Sequence, residues 1–407
     1  MRRGKISIYQ NSFVKEYATP SSGTLLDLLR NEGYYLVSPC NGNGTCGKCR
    51  VNISGRELPK ASEIEVKLLG EHAIMNGDRL SCLTPPVAGM EIHFNSVCQD
   101  VHALTLGIST KFTISSRLKK THIELSAPTL QDQRADEQRL KDFIPFKVKK
   151  LSTHLLRSLS NYIHSTHTAL TITSWGDEVL AVEPGNTSSN LLGIALDVGT
   201  TTIAGYLLDL ITGENITSCS INNPQRFWGA DVISRIQHTQ VSGVARANLH
   251  EVLLSGVSGI IEQLIENTVY EQTDVFAIFC AGNQVMTHFL LDLPVWPLAR
   301  SPFIPVTTQL ITEPATELGL HIHPEGLIIA GPSISAYLGS DILAGVIACQ
   351  MDLQEETTLL VDIGTNGELM LGNKNWLIGC STAAGPAFEG ANISCGVGAI
   401  SGAINSY

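Results

Sequence analysis

Three cysteines lie within one short glycine-rich loop, and a fourth follows farther along the chain. Their spacing is Cys40-x5-Cys46-x2-Cys49, and 32 residues separate Cys49 from Cys82. An iron–sulfur cluster needs thiolates that converge on a compact core, and the glycines of the loop let its backbone curl around that core. A structural zinc site more often carries two C-x2-C pairs, and here there is one. The spacing predicts a [2Fe–2S] cluster held by four cysteines, with zinc and free thiols as the alternatives.

Two copies of an Asp-x-Gly-Thr pattern, each after an apolar run, could bind phosphate. Glycine removes the side chain where a phosphate must approach, threonine hydroxyls and amides donate hydrogen bonds, and the aspartate can orient a Mg²⁺-bound water. The first copy supplies Asp197, Gly199, Thr200, Thr201 and Thr202. The second copy supplies Asp362, Gly364, Thr365, Asn366 and Gly367. One such loop is weak evidence, but two of them predict a clamp that holds the phosphates of a nucleotide from opposite sides.

The elements that must position these loops divide the chain into three predicted parts. Residues 1–97 read as a small, mostly β domain: KISIYQ and FVKEYA predict a hairpin, GTLLDLLRNEG a helix, and RVNISG and MEIHFN two strands. Residues 98–190 predict a linker and a small α+β middle domain. In residues 191–407, strands such as LLGIALDV and TLLVDIG alternate with helical stretches, which is typical of an α/β domain. The repeated loop pattern suggests two similar halves within it.

Composition and charge exclude several classes of function. The 407 residues carry a formal charge of −11, which disfavours a protein that binds nucleic acid or an anionic membrane. The sequence has neither the apolar region of a secretory leader nor a stretch that could span a bilayer. Ten cysteines are too sparse for a disulfide scaffold. We therefore expect a cytoplasmic protein whose partners are small molecules or other proteins.

The cysteine loop resembles the adrenodoxin-type variant of the [2Fe–2S] ferredoxins, in which five residues separate the first two ligands. This resemblance implies a β-grasp ferredoxin domain whose cluster is held by Cys40, Cys46, Cys49 and Cys82.

The two Asp-x-Gly-Thr loops resemble the phosphate-1 and phosphate-2 loops of acetate and sugar kinases, heat-shock chaperone ATPases and actin. Nearly the whole chain is similar to reductive activators of corrinoid proteins. The segments that carry this second resemblance, besides the cysteine loop, are NPQRFWGADVISRI (223–236), AGNQVMTHFLL (281–291), GSDILAGV (339–346) and CSTAAGPAFEGANISCG (380–396). The resemblance implies an α/β fold with α+β modules, and an actin-like (ribonuclease H-like) ATPase domain after the middle domain.

The function that this resemblance implies is ATP-dependent reduction of a corrinoid protein from Co(II) to Co(I) by one electron from the cluster. Asp197 and Asp362 would be catalytic, and the remaining loop residues would bind ATP with Mg²⁺. The partners would be the corrinoid protein and an upstream electron donor, and a homodimer stays open. One alternative is a ferredoxin-like electron carrier that docks a partner without ATPase activity. A kinase of small metabolites is another, but it would leave the four cysteines without a purpose.

Four other features carry expectations. Asp231 and Arg235 have the i,i+4 spacing of a surface ion pair on a helix, and partner docking is the alternative. His288 is predicted to be packed rather than a cobalt ligand, and Asn283 and Asp341 to line the cleft between the halves. Only 45 residues follow Asp362. We therefore expect an incomplete second half in a truncated chain, without the adenosine-binding segment that ATP hydrolysis would need.

Overall fold

A computed structural model describes most of the chain. The described residues are 5–10, 13–34, 36, 38, 40, 42–94, 114–146, 148, 151–164, 169–364 and 367–382. Among them, no helix is long and apolar enough to cross a membrane.

The N-terminal part is a mixed sheet with a helix packed on it. Its strands are β1 (Lys5–Gln10), β2 (Phe13–Ala18), β3 (Arg50–Ser54), β4 (Asp78–Leu80) and β5 (Glu91–Phe94), in the order β2-β1-β5-β3-β4. β1 runs parallel to β5, and the other neighbours in this sheet are antiparallel. Its helices are α1 (Leu25–Asn31), α2 (Glu63–Leu69) and α3 (Glu71–Met75). The predicted hairpin, helix and two later strands are all confirmed.

Local sequence explains why this unit folds as it does. Ile6 and Ile8 alternate with more exposed residues along β1, so one face of the strand enters the core. Helix α1 begins with a capping box in which Thr24 and Asp27 satisfy each other's backbone amides. Its leucines are buried against the sheet.

The middle part is an antiparallel sheet covered by two helices. It consists of β6 (Leu118–Glu124), α4 (Asp136–Phe143), α5 (Thr153–Ile163), β7 (Ala169–Trp175) and β8 (Glu178–Pro184). The strand order is β6-β7-β8, and the leucines of α5 pack against the sheet in a core of their own. This is the small α+β module that the sequence predicted.

A larger sheet carries the first phosphate loop. Its strands are β9 (Leu192–Val198), β10 (Thr202–Asp209), β11 (Asn215–Asn222), β12 (Val275–Gly282), β13 (Ile311–Pro314) and β14 (Leu327–Ala330), in the order β11-β10-β9-β12-β14-β13. Its helices are α6 (Val232–His238), α7 (Ala245–Glu266) and α8 (Gln284–Leu290). Single 3-10 turns lie at Pro224–Phe227, Gln272–Asp274, Trp296–Ala299 and Ala315–Leu318. β9, β12 and β14 are parallel neighbours, so their carboxyl ends meet at one edge.

A further antiparallel sheet carries the second Asp-x-Gly-Thr hairpin. It consists of β15 (Thr358–Ile363), β16 (Gly367–Asn373) and β17 (Trp376–Thr382), and helix α9 (Ser340–Ala348) packs on it. Together these sheets confirm an α/β fold with α+β modules.

The middle sheet and the larger sheet share an apolar contact. Phe276 of β12 is fully buried there, and it packs with Leu118 of β6 and Leu180 of β8. The Nζ atom of Lys120 lies 4.7 Å from the centre of the Phe276 ring, and the His323 ring stacks on that ring at 3.9 Å. These contacts join the two sheets into one packed body.

Candidate cluster site and nucleotide site

The cysteine loop places its thiols in two pairs. The Sγ atoms of Cys40 and Cys46 are 3.3 Å apart, and the thiols of Cys49 and Cys82 share a hydrogen bond. Within the described ranges, no three or more His, Cys, Asp or Glu side chains converge to hold a metal ion. Zinc needs four ligands around one point, whereas a [2Fe–2S] cluster takes four cysteines in total over its two irons. The two-and-two arrangement therefore fits a [2Fe–2S] cluster better than zinc.

Glycine is what lets this loop bend back on itself. Gly42, Gly44 and Gly47 have φ angles of 87°, 69° and 67°, in the left-handed region that other residues rarely adopt. A side chain at Gly44 would also press on the Leu83 side chain, 3.1 Å from its nearest atom.

Each thiol pair contains one sulfur that loses its proton more readily than the other. The hydrogen bond from Cys82 lowers the pKa of Cys49 to about 6, and the same hydrogen bond raises the pKa of Cys82. Burial raises the pKa of Cys40, but backbone and thiol hydrogen bonds outweigh it and bring the pKa to about 7. A thiolate is the form that binds metal. The lowered pKa of Cys40 and of Cys49 therefore favours metal binding by one sulfur of each pair.

Two arginines support the cysteine loop in ways that the sequence did not reveal. Arg30, in the last turn of α1, donates a 2.9 Å hydrogen bond to the buried Ser38 hydroxyl, two residues before Cys40. Its guanidinium also interacts electrostatically with Cys40, Cys49 and Cys82. A fixed positive charge thus lies beside the candidate cluster ligands.

The second arginine, Arg79, forms a buried ion pair with Glu65 of α2. The Arg79 Nε atom lies 2.8 Å from Glu65 Oε1, and both residues are almost completely buried. Glu65 also accepts hydrogen bonds from the Leu80 amide and the Thr84 hydroxyl, which flank Cys82. The pair therefore holds the strand end that presents the fourth cysteine.

The first phosphate loop is the turn between β9 and β10. Asp197 lies near the end of β9, Gly199 and Thr200 form the turn, and Thr202 begins β10. A Cβ atom at Gly199 would lie 2.6 Å from the Thr202 carbonyl oxygen, so the turn requires glycine. Thr201 is exposed at the tip. The predicted sequence of strand, tight turn and strand is confirmed here.

Neighbouring elements bind this loop from behind. The Asn223 side chain donates a 2.8 Å hydrogen bond to the Gly199 carbonyl, and the Asn223 backbone amide donates one of 2.8 Å to the Thr201 carbonyl. Between them, Arg235 donates a hydrogen bond to the Thr200 carbonyl. Three successive carbonyl groups of the loop are therefore held by the protein.

The prediction that Asp231 and Arg235 form a surface ion pair is wrong. Arg235 is fully buried, and its guanidinium donates to the Gly229 carbonyl at 3.0 Å and to Gln225 Oε1 at 3.1 Å. Asp231 is instead the N-cap of α6, where it accepts a hydrogen bond from the Ser234 amide. The i,i+4 spacing could not show which face of the helix was buried.

Helix α6 also approaches the N-terminal unit. His238, its last residue, interacts electrostatically with Arg30 and Asp27 of helix α1. Burial lowers the pKa of His238, and the Arg30 charge lowers it further. One short helix thus lies near both candidate sites.

The end of β12 and the start of α9 lie beside the first phosphate loop. Asn283, the N-cap of α8, donates a 3.0 Å hydrogen bond from its amide to the Thr200 hydroxyl. The Ser340 hydroxyl exchanges hydrogen bonds of 2.9 and 3.0 Å with the Gly282 backbone, which fixes the first turn of α9. Asp341, the next residue, interacts electrostatically with Asp197. Asn283 thus contacts the first phosphate loop and Asp341 lies within electrostatic reach of it; that they line a cleft between two halves stays a prediction.

The second phosphate loop is described in part. Asp362 and Gly364 lie at the end of β15, Gly367 begins β16, and Thr365 and Asn366 lie outside the described residues. Asp362 pairs with Glu368 across the hairpin, so both side chains point to the same face. Glu368 was not among the predicted site residues, although two acidic residues that flank a turn, Asp362 and Glu368, are visible in the sequence.

Four carboxylates collect between the two loops: Asp197, Asp341, Asp362 and Glu368. Burial, with charges within this group, raises the pKa of Asp197, Asp341 and Glu368. Asp197 is exposed to solvent on one side, but protein surrounds it on most sides, and this desolvation with the charges of Asp341 and Asp362 raises its pKa to about 6. Burial, with the same two charges, raises the pKa of Glu368 to about 8. The Glu368 Oε2 atom is buried with no hydrogen-bond partner in the described structure. Mg²⁺ is usually bound through one or two carboxylates plus waters and phosphates, which suits this loose cluster.

His288 is a packed histidine, as predicted. It is fully buried, its Nδ1 atom lies 2.8 Å from the Gln284 carbonyl, and its Nε2 atom accepts from the Val306 amide at 3.1 Å. Both ring nitrogens are thus occupied by the backbone.

Four family models match successive parts of the chain. Residues 9–87 match a 2Fe-2S iron-sulfur cluster binding domain. The other matches are the RACo linker region over residues 108–189, the RACo middle region over 192–354, and the C-terminal domain of RACo, the ASKHA domain, over 356–407.

Individual relatives agree with these matches. A corrinoid activation enzyme, RamQ, from Eubacterium limosum is 26% identical over 93% of this chain and 61% of its own length. A [Co(II) methylated amine-specific corrinoid protein] reductase from Methanosarcina barkeri is 30% identical over 53% of this chain and 40% of its own. A solved reductive activator for corrinoid, iron-sulfur protein has a TM-score of 0.66 and 29% identity over 96% of this chain and 65% of its own. The chain thus spans about two thirds of these relatives at most.

Proposed function

Because the chain belongs to the RACo family, we propose that it reactivates a corrinoid protein by one-electron reduction of Co(II) to Co(I) in a reaction that requires ATP. One electron passes to the cobalt of the partner, and an upstream donor replaces it. The N-terminal part is a 2Fe-2S cluster binding domain, and such a cluster, when bound, supplies single electrons at about −400 mV in plant-type ferredoxins. We place the reaction in the cytoplasm, where thiols stay reduced.

We assign the cluster to the two thiol pairs. Cys40 and Cys46 would bind one iron, and Cys49 and Cys82 the other, because these are the pairs whose sulfurs touch. Arg30 would partly neutralise the negative charge of these ligands.

We assign ATP with Mg²⁺ to the cleft between the two Asp-x-Gly-Thr loops. The Thr200–Thr202 turn would bind phosphate oxygens through its amides and hydroxyls. Asp197 and Asp362 would orient Mg²⁺-bound water at the phosphates, and their electrostatic contact supports a shared site. Gly364 and Gly367, with Thr365 and Asn366 between them, would close the clamp.

The observation that carries this proposal is the presence, in one chain, of two thiol pairs and of a glycine-threonine turn held from behind by the protein. An electron carrier alone needs only the first feature, and a kinase needs only the second.

The experiment uses the chain reconstituted anaerobically with iron and sulfide, then reduced and mixed with a corrinoid protein in its Co(II) state. We expect the Co(I) absorption band to grow with ATP and Mg²⁺ and to stay absent without nucleotide. Growth at the same rate without ATP would leave the ferredoxin-like electron carrier as the function.

Two cysteine variants make the test specific. Cys46→Ser removes one thiol of a pair, so we expect the visible spectrum of the cluster to change or disappear. Cys349→Ser alters an exposed cysteine far along the chain and serves as the matched control. An unchanged spectrum in Cys46→Ser would refute the assignment of the ligands.

A further inference from the structure

The first phosphate loop depends on residues outside its own motif. Asn223 holds the carbonyls of Gly199 and Thr201, and Arg235 holds the carbonyl of Thr200 between them. The segment from Asn223 to α6 therefore holds the carbonyl side of the turn in place.

Holding the carbonyls also fixes the amides. In a trans peptide unit the C=O and N–H groups lie in one plane and point in opposite directions. When Arg235 binds the Thr200 carbonyl, the amide of the same unit, on Thr201, is turned to the other side of the loop. Thr201 is exposed to solvent, and successive backbone amides in such a turn can bind an anion.

Arg235 itself has little freedom to move. Besides Thr200 it donates to the Gly229 carbonyl and Gln225 Oε1, and one Nη atom lies 3.5 Å from the Met286 sulfur. A Cβ atom at Gly229 would lie 2.9 Å from the Arg235 side chain, so glycine is required beside it. The planar guanidinium is thus held by several acceptors at once, which lysine could not reproduce.

We propose that Arg235 is a positioning residue of the nucleotide site: it fixes the Thr200–Thr201 peptide so that the loop presents its amides to a nucleotide phosphate. The nature of the ligand rests on the function proposed above, but the effect on the loop does not. The buried positive charge behind the turn also favours an anion in front of it.

The first test measures the loop itself and needs no nucleotide. Hydrogen exchange of a peptide that spans residues 198–203 is compared in the whole chain and in Arg235→Met. We expect exchange in the turn to be about tenfold faster in the variant, because an unanchored loop opens more often. Exchange in β12, the neighbouring strand, should stay unchanged.

Two further variants control this test. Arg235→Lys keeps the charge but not the planar fork, so we expect an intermediate rate, and it decides the outcome if Arg235→Met does not fold. Arg246 serves as the control: its Nε atom lies 3.1 Å from Asp292 Oδ1. Arg246→Met should leave the exchange rate of the turn unchanged. Wild-type exchange in the turn of a folded Arg235 variant would overturn the proposal.

The second test titrates the same proteins with ATP and Mg²⁺. We expect binding to weaken about tenfold to a hundredfold in Arg235→Met, the range for losing a hydrogen bond that involves a charged group. Faster exchange with unchanged ATP affinity would overturn the role in nucleotide binding. If the wild-type chain binds no ATP, the proposed function fails, while the exchange measurement still decides whether Arg235 fixes the loop.

Discussion

At the scale of single residues, burial and neighbouring negative charges raise the pKa of Asp197, Asp341 and Glu368 at the candidate nucleotide site. Glu368 is 5% exposed and faces Asp362 across the β15–β16 hairpin. Two like charges directly opposite each other on one face of a sheet are destabilising, and burial adds to the cost. A cation bound between Asp362 and Glu368, or a proton on Glu368, would therefore relieve this repulsion.

This arrangement predicts a pH dependence of stability. The pKa of Glu368 is about 8 in the fold, above the value of about 4.3 for an unfolded chain, so the folded state holds the proton more tightly. The stability that the protonated form contributes is complete below about pH 4 and is lost as pH rises through about 8. Glu368→Gln should flatten this decline, and thermal unfolding from pH 5 to 9 without nucleotide will show it.

The matched control for this prediction is Glu356→Gln, because Glu356 is exposed just before β15. Its stability curve should run parallel to that of the wild type. A parallel curve for Glu368→Gln as well would mean that Glu368 ionises freely in the fold.

Residue types and spacing predicted the chemistry of both candidate sites. They did not predict the neighbouring residues that hold the two loops in place. The cysteine spacing and the repeated Asp-x-Gly-Thr pattern could be read directly from the chain. Arg235 was misread as a surface residue, because an i,i+4 pair looks the same on a buried helix as on an exposed one. Arg30 gave no signal at all, since its contact with Ser38 depends on how α1 packs.

At the scale of elements, the fourth cysteine is held by the ion pair between α2 and β4. Burial alone would raise the pKa of Glu65, but hydrogen bonds from Arg79, Ser62 and Leu80 lower it to about 2. Its charged form thus contributes stability above the unfolded pKa, and this contribution is lost as pH falls toward 2.

Breaking this pair should be costly. Arg79→Met leaves the Glu65 carboxylate buried without its counter-ion, so we expect a loss of about 3–5 kcal/mol in unfolding free energy. Denaturant unfolding followed by the visible cluster band will measure it. Arg50→Met removes an exposed arginine that pairs with Asp78 nearby and should cost less than about 1 kcal/mol. Equal losses in the two variants would contradict the role given to the buried pair.

The positions of strands and helices were easier to predict from the sequence than the order in which the strands pair. Alternating runs located β1, β2, β3 and β5, and the apolar face of GTLLDLLRNEG located α1. The sheet order β2-β1-β5-β3-β4 joins residues far apart in sequence, and no local pattern encodes it. The same holds for the return of α9 to the end of β12.

At the scale of the whole molecule, the middle sheet and the larger sheet should unfold together. They share the buried Phe276 and its neighbours, whereas the core of the N-terminal unit is separate. Phe276→Ala should cost about 3–5 kcal/mol and shift the far-ultraviolet transition. The loss of the visible cluster band should keep its wild-type midpoint.

Phe279→Ala is the matched control, because Phe279 lies on the same strand but is 37% exposed. It should shift the transition much less. If Phe276→Ala moved the visible transition by the same amount as the ultraviolet one, the N-terminal unit would unfold with the rest.

Helix α6 has one further consequence. Its Arg235 lies behind the phosphate turn, and its His238 lies within electrostatic reach of Arg30, beside the thiols. Arg235 and His238 are three positions apart on α6, so a displacement of this helix at the phosphate turn also moves the His238 side chain relative to Arg30. The iron–sulfur chromophore would then serve as a built-in reporter of nucleotide occupancy, readable by colour or paramagnetic resonance without any attached dye.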